Sequence, residues 1–79
     1  MSRSLNTISH EILTYWTKPY FGAVPYLNAM RELNSINDNY YDDTARTIVM
    51  YFLANASTFR GIEAKRIKLE LKSMLNNKD

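Results

Sequence analysis

Asp43-Thr44-Ala45-Arg46-Thr47-Ile48-Val49-Met50-Tyr51-Phe52-Leu53-Ala54-Asn55-Ala56-Ser57 is the stretch whose reading decides the fold. Ala45, Ile48, Val49, Phe52, Leu53 and Ala56 recur at i, i+3, i+4, i+7, i+8 and i+11, the spacing of one helix face. The opposite face, Thr47, Met50, Tyr51 and Ala54, is hardly polar either. A helix that is apolar nearly all round is usually buried. The spacing therefore predicts a helix over 43–57, as the centre of a bundle or as one side of a dimer contact. Asp42 or Asp43 is expected to cap it, where a carboxylate also suits the positive end of the helix dipole.

Working outward, Leu5, Ile8, Ile12, Tyr15 and Trp16 form one stripe of a first helix over 6–17, with Asn6 or Thr7 as its cap. Lys18-Pro19 should end it, because the residue before a proline is pushed out of the helical region. Pro19 to Pro25 reads as a structured connector. Pro25 suits the start of a second helix over 25–35, with Tyr26, Ala29, Met30 and Leu33 facing inward. Asn34 to Tyr41 is polar and rich in asparagine, so a loop is expected there. Ser57 to Gly61 breaks the pattern. A fourth helix over 62–76 follows, with Ala64, Ile67, Leu71, Met74 and Leu75 inward. The expectation is an all-α fold: residues 1–79 as a single domain, a small bundle of four helices with a buried central third helix.

At 79 residues the chain has room for one domain. A domain this short buries only roughly 60% of its unfolded surface, so extra core is valuable to it. It has no cysteine and one histidine, which argues against disulfides and against a zinc cluster. The start of the chain has no apolar stretch resembling a signal core. The longest apolar run, Ile48 to Ala54, is far short of the ~20 residues a membrane span needs. A soluble, cytoplasmic protein with no membrane association, metal or cofactor is the expectation.

The charge is unevenly placed. Residues 1–43 carry Arg3, Lys18 and Arg31 against Glu11, Glu32, Asp38, Asp42 and Asp43, a balance of −2. Residues 44–79 carry Arg46, Arg60, Lys65, Arg66, Lys68, Lys72 and Lys78 against Glu63, Glu70 and Asp79, a balance of +4. Lys65, Lys68 and Lys72 stand on one flank of the fourth helix, and Arg60 precedes it. These four are the candidate nucleic-acid contacts. Glu63 and Glu70 dilute the patch, and the ordinary alternative is a solvated helix face. A helix-turn-helix built from the third and fourth helices fits poorly, since Arg60 stands where an apolar residue is expected.

Catalytic signals are sparse. His10 would have to serve any nucleophile–base pair, and it projects away from the apolar stripe beside Glu11 and Thr14. The two glycines, Gly22 and Gly61, form no phosphate loop. Asn37 to Asp43 has calcium-loop oxygens without the turn glycine or the closing glutamate. The reading is not an enzyme. The aromatic cluster Tyr15, Trp16, Tyr20, Phe21 and Tyr26 divides between core and surface. Tyr20 and Phe21 are the better candidates for exposed contacts. Thr47, Met50, Tyr51 and Ala54 join them, with Ile62 and Leu69 as a second apolar spot off the main face of the fourth helix. The leading functional expectation is a protein-interaction module, binding a protein partner or itself as a homodimer. The alternative is a small nucleic-acid-binding protein using its basic last helix.

Two segments carry a resemblance. Lys18-Pro19-Tyr20-Phe21-Gly22-Ala23-Val24-Pro25-Tyr26-Leu27 with Ala29-Met30, and Tyr51-Phe52-Leu53-Ala54-Asn55-Ala56 with Thr58-Phe59-Arg60-Gly61, resemble small uncharacterised helical proteins encoded by phages and prophages of Gram-positive bacteria. The resemblance covers about Ile12 to Leu75. It implies an accessory protein of a phage and brings no catalytic residue, cofactor or defined partner with it.

Overall fold

The computed structural model describes residues 3–76. They form a mostly helical chain with four helices and a small two-stranded sheet. The elements are α1 (Leu5–Tyr15), α2 (Val24–Met30), β1 (Asn39–Tyr40), β2 (Asp43–Thr44), α3 (Ala45–Ala54) and α4 (Ile62–Asn76). The most extensive pairing is α2 with α3. In addition α1 packs on α2 and α4, and α3 packs on α4 and β2.

Side-chain caps set the helix starts. Ser4, not Asn6 or Thr7, caps α1: its hydroxyl accepts the Thr7 N–H at 3.1 Å. Asn6 instead donates from its amide to the Arg31 carbonyl at 2.5 Å. The next free amides of α1, on Leu5 and Asn6, donate to the carbonyls of Asn34 and Leu33 at 3.1 and 2.9 Å. Those bonds answer the orphan donors that every helix start leaves. They also direct the chain after Met30 toward α1, so α2 stops at Met30 rather than running to 35. Tight turns carry the chain on, with Glu32 and Leu33 N–H groups bonded to the Ala29 and Met30 carbonyls.

Thr44 likewise displaces Asp42 and Asp43 as the cap of α3. Its hydroxyl accepts the Thr47 N–H at 3.2 Å. Both aspartates lie outside the helix because residues 39–44 form a hairpin. Asn39 pairs with Thr44 and Tyr40 with Asp43, in antiparallel register. Tyr41, in the two-residue turn, has a φ of +54°, the left-handed sense that such hairpin turns require. The loop expected here and the all-α expectation are both corrected on this point. Asp38 Oδ2 accepts the backbone amides of Asn34 and Ser35 at 3.0 Å each.

One hydrophobic cluster runs through all four helices. Leu5, Ile8, Ile12 and Trp16 enter it from the α1 side, Leu27, Ala29, Met30 and Leu33 from α2 and its following turn. Ala45, Ile48, Val49 and Phe52 come from α3, Ala64, Ile67, Leu71 and Met74 from α4. Tyr15, expected in the stripe of α1, is half exposed, and Leu27, not expected in the stripe of α2, is buried. Ile62–Asn76 has the expected bounds.

The link from 55 to 61 contributes what the sequence reading missed. Phe59 is only 1% exposed. Its ring stacks on Trp16 at a centroid distance of 5.1 Å and an interplanar angle of 17°. Trp16 also meets Phe52 edge-on at 6.3 Å. Three aromatic rings thus lock the end of α1, the last turn of α3 and the link together. Gly61 then turns the chain into α4 with a φ of +113°, a conformation side chains rarely adopt.

The Phe59→Ala variant should lose about 3–5 kcal/mol of unfolding free energy, as for other buried aromatics. Phe59→Leu keeps most of the volume and should cost under about 1.5 kcal/mol. Urea denaturation followed by circular dichroism measures both. Equal, small losses would show that the link is not part of the core.

Candidate functional site

Helix α4 sorts its charges by face. Glu63, Arg66 and Glu70 recur at i, i+3 and i+7, and Lys65, Lys68 and Lys72 repeat that spacing two positions on. At about 100° per residue the two stripes stand about 200° apart around the axis. The buried stripe of Ala64, Ile67, Leu71 and Met74 lies between them.

The first stripe faces α1 and the segment before it. Arg3 donates from Nε and Nη2 to the two carboxylate oxygens of Glu70, at 3.1 and 2.6 Å. Arg66 donates from Nη2 to Glu11 Oε2 at 2.7 Å, and from Nε and Nη2 to Glu63 Oε1 at 2.9 and 2.6 Å. Glu11 Oε1 lies 2.7 Å from Arg3 Nη2. That contact is an ion pair off the hydrogen-bond axis, since this buried oxygen accepts no aligned donor. Glu70, Arg3, Glu11, Arg66 and Glu63 therefore alternate in sign along the α1–α4 seam. Arg66 first, and Arg3 after it, hold the Glu11 carboxyl below the usual glutamate range, against the opposing effect of its partial burial. The carboxylates in turn hold both guanidiniums above their ordinary value, Glu70 foremost for Arg3 and Glu11 for Arg66.

The second stripe lines a concavity of about 390 Å³. Phe59, Arg60 and Gly61 come from the link, and Lys65, Lys68, Leu69 and Lys72 from α4. All four residues expected to contact nucleic acid, Arg60, Lys65, Lys68 and Lys72, are brought together here. No acidic side chain lines it. Lys68 Nζ lies 5.7 Å from the centroid of the Phe59 ring. Its partial burial, and then the charges of Lys72 and Arg60, push its ammonium pKa down. The link from 55 to 61 is seven residues long. That exceeds the three or four of a helix-turn-helix, so α3 and α4 do not form one.

The apolar candidates separate. Met50 is 58% exposed, Tyr51 51% and Phe21 79%, and Tyr20 and Ala54 are exposed as well. Thus α3 buries one face and presents the other to solvent, and the expected burial of the third helix holds for one side only. Tyr51 stacks on Tyr26 of α2 at 5.5 Å. Tyr20 and Phe21 meet at 4.8 Å. The connector reaches the end of α3 because Gly22 lacks a side chain: a Cβ there would stand 2.5 Å from the Tyr20 ring and 2.9 Å from Asn55 Oδ1. Asn55 itself donates from Nδ2 to the Tyr51 carbonyl at 2.9 Å. Thr47, by contrast, is half-buried and joined to the Thr44 cap. Leu69 borders the basic concavity, and Ile62 stands alone at the start of α4, almost fully exposed.

His10 is exposed and shares an open polar concavity of about 530 Å³ with Asn6, Asn28, Arg31 and Glu32. No hydroxyl or thiol nucleophile lines it. Among the described residues there is no cluster of metal-ligating side chains, and no helix is long and apolar enough to cross a membrane. Comparison with protein-family models, curated proteins and solved structures finds no match.

The seam makes a pH-dependent contribution of defined sign. A carboxyl with a depressed folded-state pKa stabilises the fold above its unfolded value, and that stability is lost as pH falls through the folded value. The melting temperature should hold steady from neutrality down to about pH 5 and fall below about pH 4. Glu11→Gln should melt lower at neutral pH and lose less on acidification. An acid profile parallel to that of the parent would show that Glu11 is not part of the acid response.

Proposed function

We propose that this chain is a non-enzymatic protein-interaction module that associates with a second copy of itself through the solvent face of α3. The observation that carries the reading is the exposed pair Met50 and Tyr51, on a helix whose other face is the core. Tyr26, stacked on Tyr51, widens the surface toward α2, and the exposed pair Tyr20 and Phe21 belongs to the connector that reaches Asn55 at the end of α3. A scattered exposed leucine needs no explanation, whereas a contiguous apolar patch of aromatic and methionine side chains marks a contact surface. Fully burying a wholly exposed side chain of this size is worth about 1.5–3 kcal/mol, and Met50 and Tyr51 have a little over half of their surface left to bury. A two-fold contact buries each of them twice, because the same patch serves both copies. A domain short of core gains most from this arrangement. The setting of a phage or prophage accessory protein is part of the proposal and rests on the resemblance of two sequence segments alone.

Multi-angle light scattering tests the reading. At tens of micromolar the mass should approach twice the 9.2 kDa of the chain. Met50→Asp should return it to the monomer mass with the helical circular dichroism intact. A monodisperse monomer at every concentration would overturn the self-association.

A further inference from the structure

The basic concavity stands apart from the face of α3 and has its own logic. We infer that it binds the phosphodiester backbone of nucleic acid, laid along α4 over Arg60, Lys65, Lys68 and Lys72. Three observations carry this. The acids of α4, which on sequence alone seemed to dilute the patch, are engaged at the opposite flank by Arg3 and Arg66. Arg46, the one basic residue of α3, is engaged away from the concavity, donating to the Leu75 carbonyl at 3.0 Å. The concavity itself is walled by cations, and among the described residues Lys65, Lys68 and Lys72 have no carboxylate partner.

The setting favours a polyanion over water. Lys68 lies against the Phe59 ring and faces Lys72 and Arg60, so like charges crowd a partly dehydrated spot. A bound phosphate relieves that repulsion, and the apolar floor of Phe59 and Leu69 strengthens each contact by excluding water. The shape favours a polymer over a small anion. Lys65 to Lys72 spans about 10 Å of helix axis. Duplex DNA presents a phosphate charge per ~1.7 Å of its own axis, so several meet the stripe at once. With Arg60, Lys65, Lys68 and Lys72 laid on phosphates, which carry no sequence information, binding is independent of sequence.

Fluorescence anisotropy with a labelled mixed-sequence DNA duplex, and in parallel the single strand, tests the inference. With up to four phosphate contacts, log affinity should fall with log salt at a slope of about −3 to −4 for the duplex, shallower for the strand. That is about a 100-fold loss between 50 and 200 mM salt. Lys72→Ala, at an exposed position, should lower the slope by about 1, and K65A/K68A/K72A should bring it to about −1. Lys18→Ala, outside the concavity, should leave it unchanged. Circular dichroism confirms that each variant is folded. Failure to bind either form of DNA at low salt would overturn the inference. So would an unchanged slope in the triple variant, or equal affinity for poly-glutamate, which would assign the site to an acidic polypeptide.

Discussion

The burial of Phe59 is the constraint on which the junction of α1, α3 and α4 depends. Its ring closes the aromatic cluster with Trp16 and Phe52, and so ties the end of α1 to the end of α3. The same ring underlies Lys68 and forms the floor of the basic concavity. Without it, the link from 55 to 61 would keep only the small buried Ala56 to hold it against the body of the chain. Gly61 could still turn the backbone, but the direction in which α4 leaves would not be set. A small domain has few such contacts to lose, so one buried aromatic in a link carries an unusual share of its order.

The second organising feature is the sorting of charge on α4. Both stripes share the i, i+3, i+7 spacing, and their offset of two positions sends them to opposite flanks. One stripe ties α4 to α1 through alternating ion pairs. The other is left facing solvent with a single sign. The apparent mixture of Lys, Arg and Glu along the sequence is therefore a separation in space. Surface pairs of this kind add little stability one by one. Their larger effect here is to take the acids away from the concavity and leave its field uncancelled.

How much of this was legible in the sequence follows from what each signal depends on. The four helices were legible, because apolar periodicity survives any detail of the ends. The ends were less so. Ser4 and Thr44 cap α1 and α3 in place of equally good neighbours, Asn6 and Thr7 in one case, Asp42 and Asp43 in the other. Choosing among adjacent cap residues depends on tertiary contacts, here the carbonyls of Leu33 and Asn34 and the hairpin before α3. The hairpin was hidden because its strands have two residues each and its turn places a tyrosine, not glycine or asparagine, at positive φ. Phe59 was hidden because a lone aromatic in a polar link has no period. The opposed stripes of α4 were present in the sequence, and a helical projection of its acids as well as its bases would have shown them. The second face of α3 was visible as a stripe, but only the packing decides that Met50, Tyr51 and Ala54 are exposed while Thr47 is half-buried.

The most direct measurement is the proton nuclear Overhauser spectrum of the side chains. Trp16 is the only tryptophan, so its indole protons are unambiguous. The account predicts strong cross-peaks from that indole to the Phe59 ring, and an upfield ring-current shift of the Lys68 side-chain methylenes. A Phe59 ring with unshifted, averaged resonances and no contact to Trp16 would contradict it.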